Sequence, residues 1–144
     1  MPRRVLDELK TCDLIIHAGD ITEAYVLREL EKLAPVKAVK GNMDSVELRK
    51  LLPEKITFEV AGKRIGVVHG LGAPEKVPDF AAQVFGNSVD VIVFGHSHLP
   101  YNKTRDGVLL FNPGSTTDIL RAATCSMGII LIEGDAASGM VLSC

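Results

Sequence analysis

The sequence predicts an α/β domain whose sheets become mixed toward the C-terminus. Before His98, short apolar segments of strand length alternate with segments whose apolar residues recur at helical spacing. After His98 the helical spacing disappears and turn residues separate the apolar segments, which indicates antiparallel strands. With 144 residues the chain has the length of one domain, so we expect residues 1–144 to form a single domain.

The first elements follow the strand and helix order of such a domain. Residues 2–10 carry apolar side chains at helical spacing and predict a helix. Residues 13–16 are a short apolar segment and predict a strand. The next segment, 22–33, has one apolar stripe and predicts a second helix, with Thr22 as its N-terminal cap and Pro35 as its stop.

The middle of the chain continues the alternation. Residues 36–39 predict a strand, and 46–52 predict a short helix. Asp44 and Glu47 stand three residues apart before this helix and resemble a capping box. A hairpin is predicted next, with strands at 56–60 and 64–68 around a glycine turn.

The later elements are mostly strands. Residues 79–85 have Phe80, Ala81 and Val84 on one side and predict a helix. The segment 89–94, which is apolar except for Asp90, predicts a strand that is buried on both faces. The remaining predicted strands are 108–111, 125–132 and 137–142.

Composition excludes several classes of function. A net charge of −2 and a pI near 6.1 argue against a nucleic-acid-binding face. The longest apolar runs are far below the ~20 residues of a membrane span, and the first residues lack the apolar core of a secretory signal. The three cysteines lie far apart in sequence, as is typical of reduced thiols, so we expect a cytoplasmic protein. The sequence is also compatible with a homo-oligomer.

Polar side chains follow the predicted strands at their carboxyl ends. These residues are Asp20, Asn42, His69, His96 and His98. Because the carboxyl ends of strands in an open α/β sheet share one edge, where ligands bind, we expect these side chains to converge. Imidazoles and a carboxylate without thiolates suit Mn, Fe, Zn, Ni or Co better than Ca or Mg. The sequence therefore predicts a transition-metal site at this edge.

Each residue also has an ordinary structural explanation when it is taken singly. An aspartate after a strand, such as Asp20, commonly forms a turn or caps a helix, and an asparagine beside a glycine, such as Asn42, is typical of a turn. The pair His96 and His98 at one strand exit is harder to explain in this way. Five such residues at one edge indicate a site more strongly than any one of them. His17, in contrast, is expected to pack or to support the ligands through a hydrogen bond.

The order of these motifs is similar to a known family. The motifs are Gly19-Asp20, Gly41-Asn42-x-Asp44, His69-Gly70, Gly95-His96-Ser97-His98 and Asn112-Pro113-Gly114-Ser115. Together they resemble the calcineurin-like metallophosphoesterases, and in particular their small single-domain bacterial and archaeal phosphodiesterases. The resemblance covers residues 13 to about 115.

The resemblance implies a fold and a metal centre. The fold is a four-layer α-β-β-α sandwich of two mixed sheets flanked by helices. The centre holds two divalent transition metals, with Mn²⁺ first and Ni, Fe, Zn or Co as alternatives. Carried over by motif, Asp20 would bridge both ions, and His98 would bind the second. Asn42, His69 and His96 would complete the shell of the first, with Asn42 also contacting substrate.

The chain departs from the family pattern at two places. The family opens with a strand that ends in Asp-x-His and supplies two ligands to the ion held by His98, whereas this sequence begins at the following helix. We therefore expect the natural chain to start upstream and to encode Asp-x-His there. The second departure is Met43, where many relatives carry a histidine that protonates the leaving group. The acid would then be a metal-bound water, another residue, or unnecessary for a good leaving group.

The resemblance implies hydrolysis of a small phosphoester, more often a diester than a monoester, by attack of a metal-bridging hydroxide. An alternative is a catalytically silent scaffold, because the same fold serves as a protein-interaction subunit in retromer-like trafficking assemblies. The missing Asp-x-His favours the scaffold, whereas the set of Asp20, Asn42, His69 and His96 favours the enzyme. A hydrolase with one metal ion is a third alternative.

Overall fold

A computed structural model describes residues 1–118, 120, 122 and 124–144. Its helices are α1 (Arg3–Leu9), α2 (Ala24–Glu31), α3 (Val46–Leu51) and α4 (Val77–Phe85), and a 3₁₀ turn (Pro74–Lys76) precedes α4. Its strands are β1 (Ile15–His17), β2 (Val36–Ala38), β3 (Lys55–Val60), β4 (Lys63–Val68), β5 (Val91–Phe94), β6 (Tyr101–Arg105), β7 (Val108–Asn112), β8 (Ser126–Glu133) and β9 (Ala136–Ser143).

One mixed sheet of five strands carries the fold. Its strand order is β3-β4-β5-β7-β6, with β4, β5 and β7 parallel and the two edge strands antiparallel to their neighbours. A second layer contains a parallel pair, β1 and β2, and an antiparallel pair, β8 and β9. The α/β class with a mixed sheet is therefore confirmed.

Alternating side chains of the buried strands divide the core between two faces of the sheet. On β5, Ile92 and Phe94 pack with α4 residues such as Val77 and Ala81. Val93, of opposite parity, faces the second layer, in a cluster that includes side chains of β1, β8 and β9. A third cluster places Leu30 of α2 and Ile15 of β1 together on the outer side of that layer. The order of layers is thus helix, sheet, sheet and helix, as expected.

The second layer differs in detail from a continuous mixed sheet. In the ladders formed by the described residues, β1 pairs only with β2, and β8 only with β9. An apolar groove of about 360 Å³ runs between β1 and β8. Its walls include Ile16 from β1 and Ile130 from β8, and Val93 and Phe111 of the five-stranded sheet also line it.

One predicted helix cap was wrong, and one strand was not predicted. The predicted cap Thr22 is not used, because α2 begins at Ala24, after an extended Glu23 whose side chain makes no capping hydrogen bond. Strand β6 was not predicted as an element. Its residues are mostly exposed and polar, since it lies at the edge of the sheet, so it lacks an apolar alternation.

Within the part of the chain that the structure describes, no helix combines the length and the apolar character needed to cross a membrane.

Candidate metal centre

The five predicted site residues lie at the carboxyl ends of parallel strands. Asp20 follows β1 and Asn42 follows β2, while His69 directly follows β4, and His96 and His98 follow β5. Strands β1 and β2 are parallel, as are β4 and β5. Each pair therefore delivers its loops to one end of its layer, and the contacts below show that the two ends meet.

Three of these residues have a left-handed backbone. The φ angles of Asp20, His96 and His98 are 61°, 65° and 60°. Residues other than glycine rarely adopt this backbone conformation, because it is strained. Strained residues of this kind cluster at functional sites, where the surrounding structure enforces their conformation. The other described non-glycine residues with positive φ, Ala61 and Asp106, lie between the strands of hairpins, where this backbone is ordinary.

Two imidazoles from different loops meet at the side-chain amide oxygen of Asn42. Oδ1 of Asn42 lies 2.9 Å from Nε2 of His69 and 3.2 Å from Nδ1 of His96. The same two imidazole nitrogens are 3.3 Å apart. Oδ1 of Asp20 lies 3.4 Å from Nε2 of His69 and also accepts a hydrogen bond from the backbone N–H of Met43. We call Asn42, His69, His96 and Asp20 the amide cluster.

Backbone carbonyls fix the orientation of both imidazoles in this cluster. Nδ1 of His69 is 2.6 Å from the carbonyl oxygen of Ala18, and Nε2 of His96 is 3.1 Å from that of Gly72. A carbonyl can only accept, so these two ring nitrogens carry the protons. In the neutral imidazoles, the lone pairs of Nε2 of His69 and Nδ1 of His96 then face Asn42. This is the arrangement by which outer groups orient histidine ligands of metals.

The amide cluster fits a metal ion in donor type and spacing. Its facing atoms are all acceptors, and acceptors in mutual contact are stabilised by a cation between them. Two ligands at ~2.0–2.2 Å from one ion lie roughly 2.9–3.4 Å apart, and the four separations above span 2.9–3.4 Å. Among the described residues, no group of three His, Cys, Asp or Glu side chains is arranged to hold an ion on its own. The amide oxygen of Asn42 brings the number of acceptors in the amide cluster to four.

His98 lies on the other side of Asp20. Its Nε2 is 3.7 Å from Oδ2 of Asp20, and its Nδ1 is 2.5 Å from Oδ2 of Asp118. The carboxylate of Asp118 accepts a hydrogen bond from the Nδ1–H of His98, and in the neutral imidazole the lone pair of Nε2 then faces Asp20. Sequence reasoning missed Asp118. The available signal was Ser115, whose hydroxyl accepts hydrogen bonds from the backbone N–H groups of Thr117 and Asp118 in a local turn.

Asp44 has a different role from the predicted one. The N-cap of α3 is Ser45, whose hydroxyl accepts from the N–H of Leu48, so the expected capping box of Asp44 and Glu47 was wrong. The buried carboxylate of Asp44 instead accepts from the N–H of Ile21 at 2.6 Å and of Gly41 at 2.8 Å. It thereby joins the loop that carries Asp20 to the loop that carries Asn42.

Two further residues shape the loops of the site. His17 accepts a hydrogen bond from the N–H of Gly19, and its burial lowers the pKa of its imidazole, against the opposing effect of the Asp44 and Asp20 charges. The fully buried Asn112 donates to the carbonyl of Gly95 and to the hydroxyl of Ser97, and so holds the turn that presents His96 and His98.

Comparison with known proteins gives a consistent result. The family model of the calcineurin-like phosphoesterase superfamily domain matches residues 1–135. A probable metallophosphoesterase of Methanocaldococcus jannaschii is 40% identical over 119 residues, which are 81% of this chain and 60% of that protein. A probable metallophosphoesterase of Methanothermobacter thermautotrophicus is 34% identical over 142 residues, 94% of this chain and 78% of that protein. The phosphodiesterase YfcE of Escherichia coli is 37% identical over 101 residues, 65% of this chain and 52% of that protein.

Solved structures agree with the fold. A Thermotoga maritima protein solved by solution NMR superposes with a TM-score of 0.73 at 32% identity, covering 100% of this chain and 88% of that one. Vps29 from Cryptosporidium parvum superposes with a TM-score of 0.77 at 19% identity, covering 99% of this chain and 89% of that one, a likeness that concerns the fold alone. The chain spans about 60% of the first of these relatives and about half of the E. coli protein.

Proposed function

The chain belongs to the calcineurin-like phosphoesterase superfamily, and from this we propose that it hydrolyses a phosphodiester in a metal-dependent reaction. Its relatives are named as probable metallophosphoesterases and as a phosphodiesterase. The observation that carries the proposal is the amide cluster, in which acceptor atoms from four separate loops face one another at the spacing of metal ligands.

Asn42, His69, His96 and Asp20 would hold one divalent ion, with Mn²⁺ our first choice. A second ion would rest on the other oxygen of Asp20 and on Nε2 of His98, which are too few donors for tight binding without further ligands. Divalent ions lower the pKa of a bound water and neutralise charge on phosphoryl oxygens.

The remaining steps depend on residues of this chain. The carbonyls of Ala18 and Gly72 hold the ring protons of His69 and His96 away from the cluster, so that both histidines keep their lone pairs inward. Asn42 is exposed to solvent, so its amide can also contact a phosphoryl oxygen of the substrate.

A diester suits the site better than a monoester. Met43 follows Asn42 directly and is exposed, and its thioether has no proton to give to a leaving group. Substrates whose leaving group needs no protonation are therefore favoured. A small phosphoester, rather than a nucleic acid, agrees with the net charge of −2.

We also propose a cytoplasmic location. Its support is chemical, because Cys12, Cys125 and Cys144 are all free thiols in the structure, as is usual in a reducing compartment.

Metal stoichiometry and turnover test the proposal together. The chain is loaded with Mn²⁺ and desalted, its metal content is measured by elemental analysis, and hydrolysis of bis(p-nitrophenyl) phosphate is followed. We expect at least one tightly held Mn²⁺ per chain and turnover that chelation abolishes. His96→Asn should lose both, since asparagine tolerates the left-handed backbone of this position but cannot reproduce the imidazole donor. Asn87→Ala, in the exposed turn after α4, is the control.

The alternative function is a silent protein-interaction scaffold of the same fold. The likeness to Vps29 is below 25% identity and so does not favour it. If the chain bound no Mn²⁺ and hydrolysed neither diester nor monoester, the result would favour the scaffold. One Mn²⁺ per chain with turnover would instead favour a hydrolase with one metal ion.

A further inference from the structure

Large apolar side chains are exposed around the candidate metal centre. Met43 is 62% exposed, Leu71 64%, Leu99 43% and Leu120 94%. Isolated exposed apolar residues are ordinary on protein surfaces. These four are unusual in their placement, because each stands one or two residues after a residue of the centre, on a different loop. We call them the apolar collar.

Backbone hydrogen bonds tie the collar to the centre. The N–H of Met43 donates to Oδ1 of Asp20 at 2.9 Å. Leu71 precedes Gly72, whose carbonyl lies 3.1 Å from Nε2 of His96. These two side chains therefore start from backbone that is itself in contact with the amide cluster.

The other two collar residues are anchored on the side of His98. Leu99 follows His98 directly, and its N–H donates to the hydroxyl of Ser97 at 3.3 Å. The N–H of Leu120 donates to Oδ1 of Asp118 at 2.9 Å, and the other oxygen of Asp118 contacts His98. The collar residues are thus joined through the backbone to both the amide cluster and the side of His98.

The charge around the collar favours an uncharged organic group. Within two residues of Met43, Leu71 and Leu99 the sequence has no lysine or arginine, and Leu120 alone has one beside it, Arg121. A site for nucleotides or other polyanions would be expected to offer cations there. A ligand that matches both parts would have one phosphoryl group at the centre and an apolar group against the collar.

We propose, on the basis of the function proposed above, that the substrate is a phosphodiester with an apolar alcohol, and that Met43 and Leu71 are its specificity-determining residues. In the reaction the hydroxyl of water bonds to phosphorus, and the bond between phosphorus and the leaving oxygen breaks with its electron pair. The remaining proton of water passes to the leaving group or to solvent. The apolar alcohol remains on the phosphate that is released.

A series of chromogenic esters tests this assignment. The p-nitrophenyl diesters of methyl, butyl and hexyl phosphate share one leaving group and differ only in the retained alcohol. A fully buried methylene is worth about fourfold in binding. Because the collar is open, we expect a total rise of about tenfold in kcat/KM from methyl to hexyl, carried mainly by KM.

Substitutions in the apolar collar test which residues cause the rise in kcat/KM with chain length. Met43→Ser combined with Leu71→Ser should reduce the rise from methyl to hexyl to less than about twofold, as expected for lost apolar contact. The matched controls Met140→Ser and Leu51→Ser change equally exposed residues on β9 and α3, and they should keep the full rise.

Two outcomes overturn the assignment. Measurable turnover that does not depend on chain length would mean that the collar faces something other than substrate, such as a protein or a membrane. A double variant that keeps the full rise would also overturn it.

Absence of turnover with every ester counts instead against the proposed function. The collar is then judged by calorimetric binding of methyl-, butyl- and hexylphosphonate. Affinity that rises with chain length, and is lost in the double variant, supports the collar. Affinity that stays flat refutes it.

Discussion

Asn42 and His69 are 27 residues apart in sequence, and Oδ1 of the first lies 2.9 Å from Nε2 of the second. Because the Nδ1–H of His69 donates to the carbonyl of Ala18, Nε2 of the neutral ring has a lone pair, and its contact with Asn42 brings two lone-pair donors together. His96 makes a corresponding contact with the same amide oxygen. Asn42 is therefore the common partner of both histidines.

Replacing Asn42 by alanine should remove the donor that completes the cluster. We expect Mn²⁺ affinity to fall by more than the roughly 10–100-fold that loss of an outer partner typically costs. The backbone of Asn42 is not among the positive-φ residues, so the fold should be retained. Calorimetric titration with Mn²⁺ measures the loss, and Asn87→Ala serves as control. Unchanged affinity in the Asn42 variant would remove it from the site.

Asp118 should act as a positioning residue for His98. In Asp118→Asn the carboxylate that accepts the Nδ1 proton becomes an amide, and we expect activity to fall by about 10–100-fold. A loss of packing alone would not alter the ring proton. Nitrogen-15 NMR of the histidine side chains distinguishes the two cases, since His98 should change its tautomer populations in the variant. An unchanged His98 spectrum would contradict this role.

Removing the carboxylate of Asp44 should destabilise the whole protein. Asp44→Ala leaves two N–H groups, of Ile21 and Gly41, without their acceptor. Each buried donor left unpaired costs about 1–3 kcal/mol, so we expect the free energy of unfolding to drop by at least about 2 kcal/mol. Urea denaturation measures it. Asp135→Ala, at an exposed turn position, should change it by less than about 0.5 kcal/mol.

Gly19 allows the close approach of two loops. Its φ is +98°, and a Cβ there would lie 2.7 Å from Nδ1 of His69 and 2.8 Å from Cα of Gly41. Gly107 also has a positive φ, +78°, but open space around it. Gly107→Ala should cost about 1–2 kcal/mol of backbone strain, and Gly19→Ala a further 1–3 kcal/mol, roughly, for the clash. Equal urea midpoints for the two variants would show that the clash is absent.

The ion pair of Asp90 and Arg64 makes stability depend on acid pH. Hydrogen bonds from the side chain and then the backbone of Arg64 lower the pKa of Asp90 from 3.8 to about 2. Because the folded state favours the carboxylate, its contribution to stability is complete above the ordinary pKa and is lost as pH falls through about 2. The urea midpoints of the wild type and of Asp90→Asn should therefore differ at pH 7 and converge between pH 4 and 2.

A second variant isolates the cause of this pH dependence. In an Arg64→Gln background, Asp90→Asn should change the urea midpoint less, because the guanidinium that lowers the pKa of Asp90 is gone. An equally large change in both backgrounds would assign the effect to another partner.

The convergence of Asp20, Asn42, His69 and His96 could be predicted from sequence. Each follows an apolar segment, and the carboxyl ends of parallel strands share an edge, which brings Asp20 near Asn42 in one sheet and His69 near His96 in the other. The fold class followed from the same alternation of segments. The family resemblance added the order of the layers.

The electrostatic detail of the site could not be predicted in this way. The backbone carbonyls of Ala18 and Gly72 orient the two histidines. Because every residue has a backbone carbonyl, the sequence does not reveal which ones will do so. The left-handed backbone of His96 and His98 has no sequence signal either, since histidine is not a residue that requires it. Asp44 was assigned wrongly because a carboxylate at this position could either cap the next helix or accept hydrogen bonds from distant loops, and the sequence does not distinguish the two roles.

The groove between β1 and β8 also has a consequence for strand pairing. In the described ladders each of these two strands borders it with an unpaired edge, so backbone donors and acceptors face an apolar floor. An extended segment inserted there would be hydrogen-bonded on both sides at once, whereas an ordinary edge strand offers one side. A charged residue in place of Ile130 should disfavour such pairing, because its side chain would line the apolar groove.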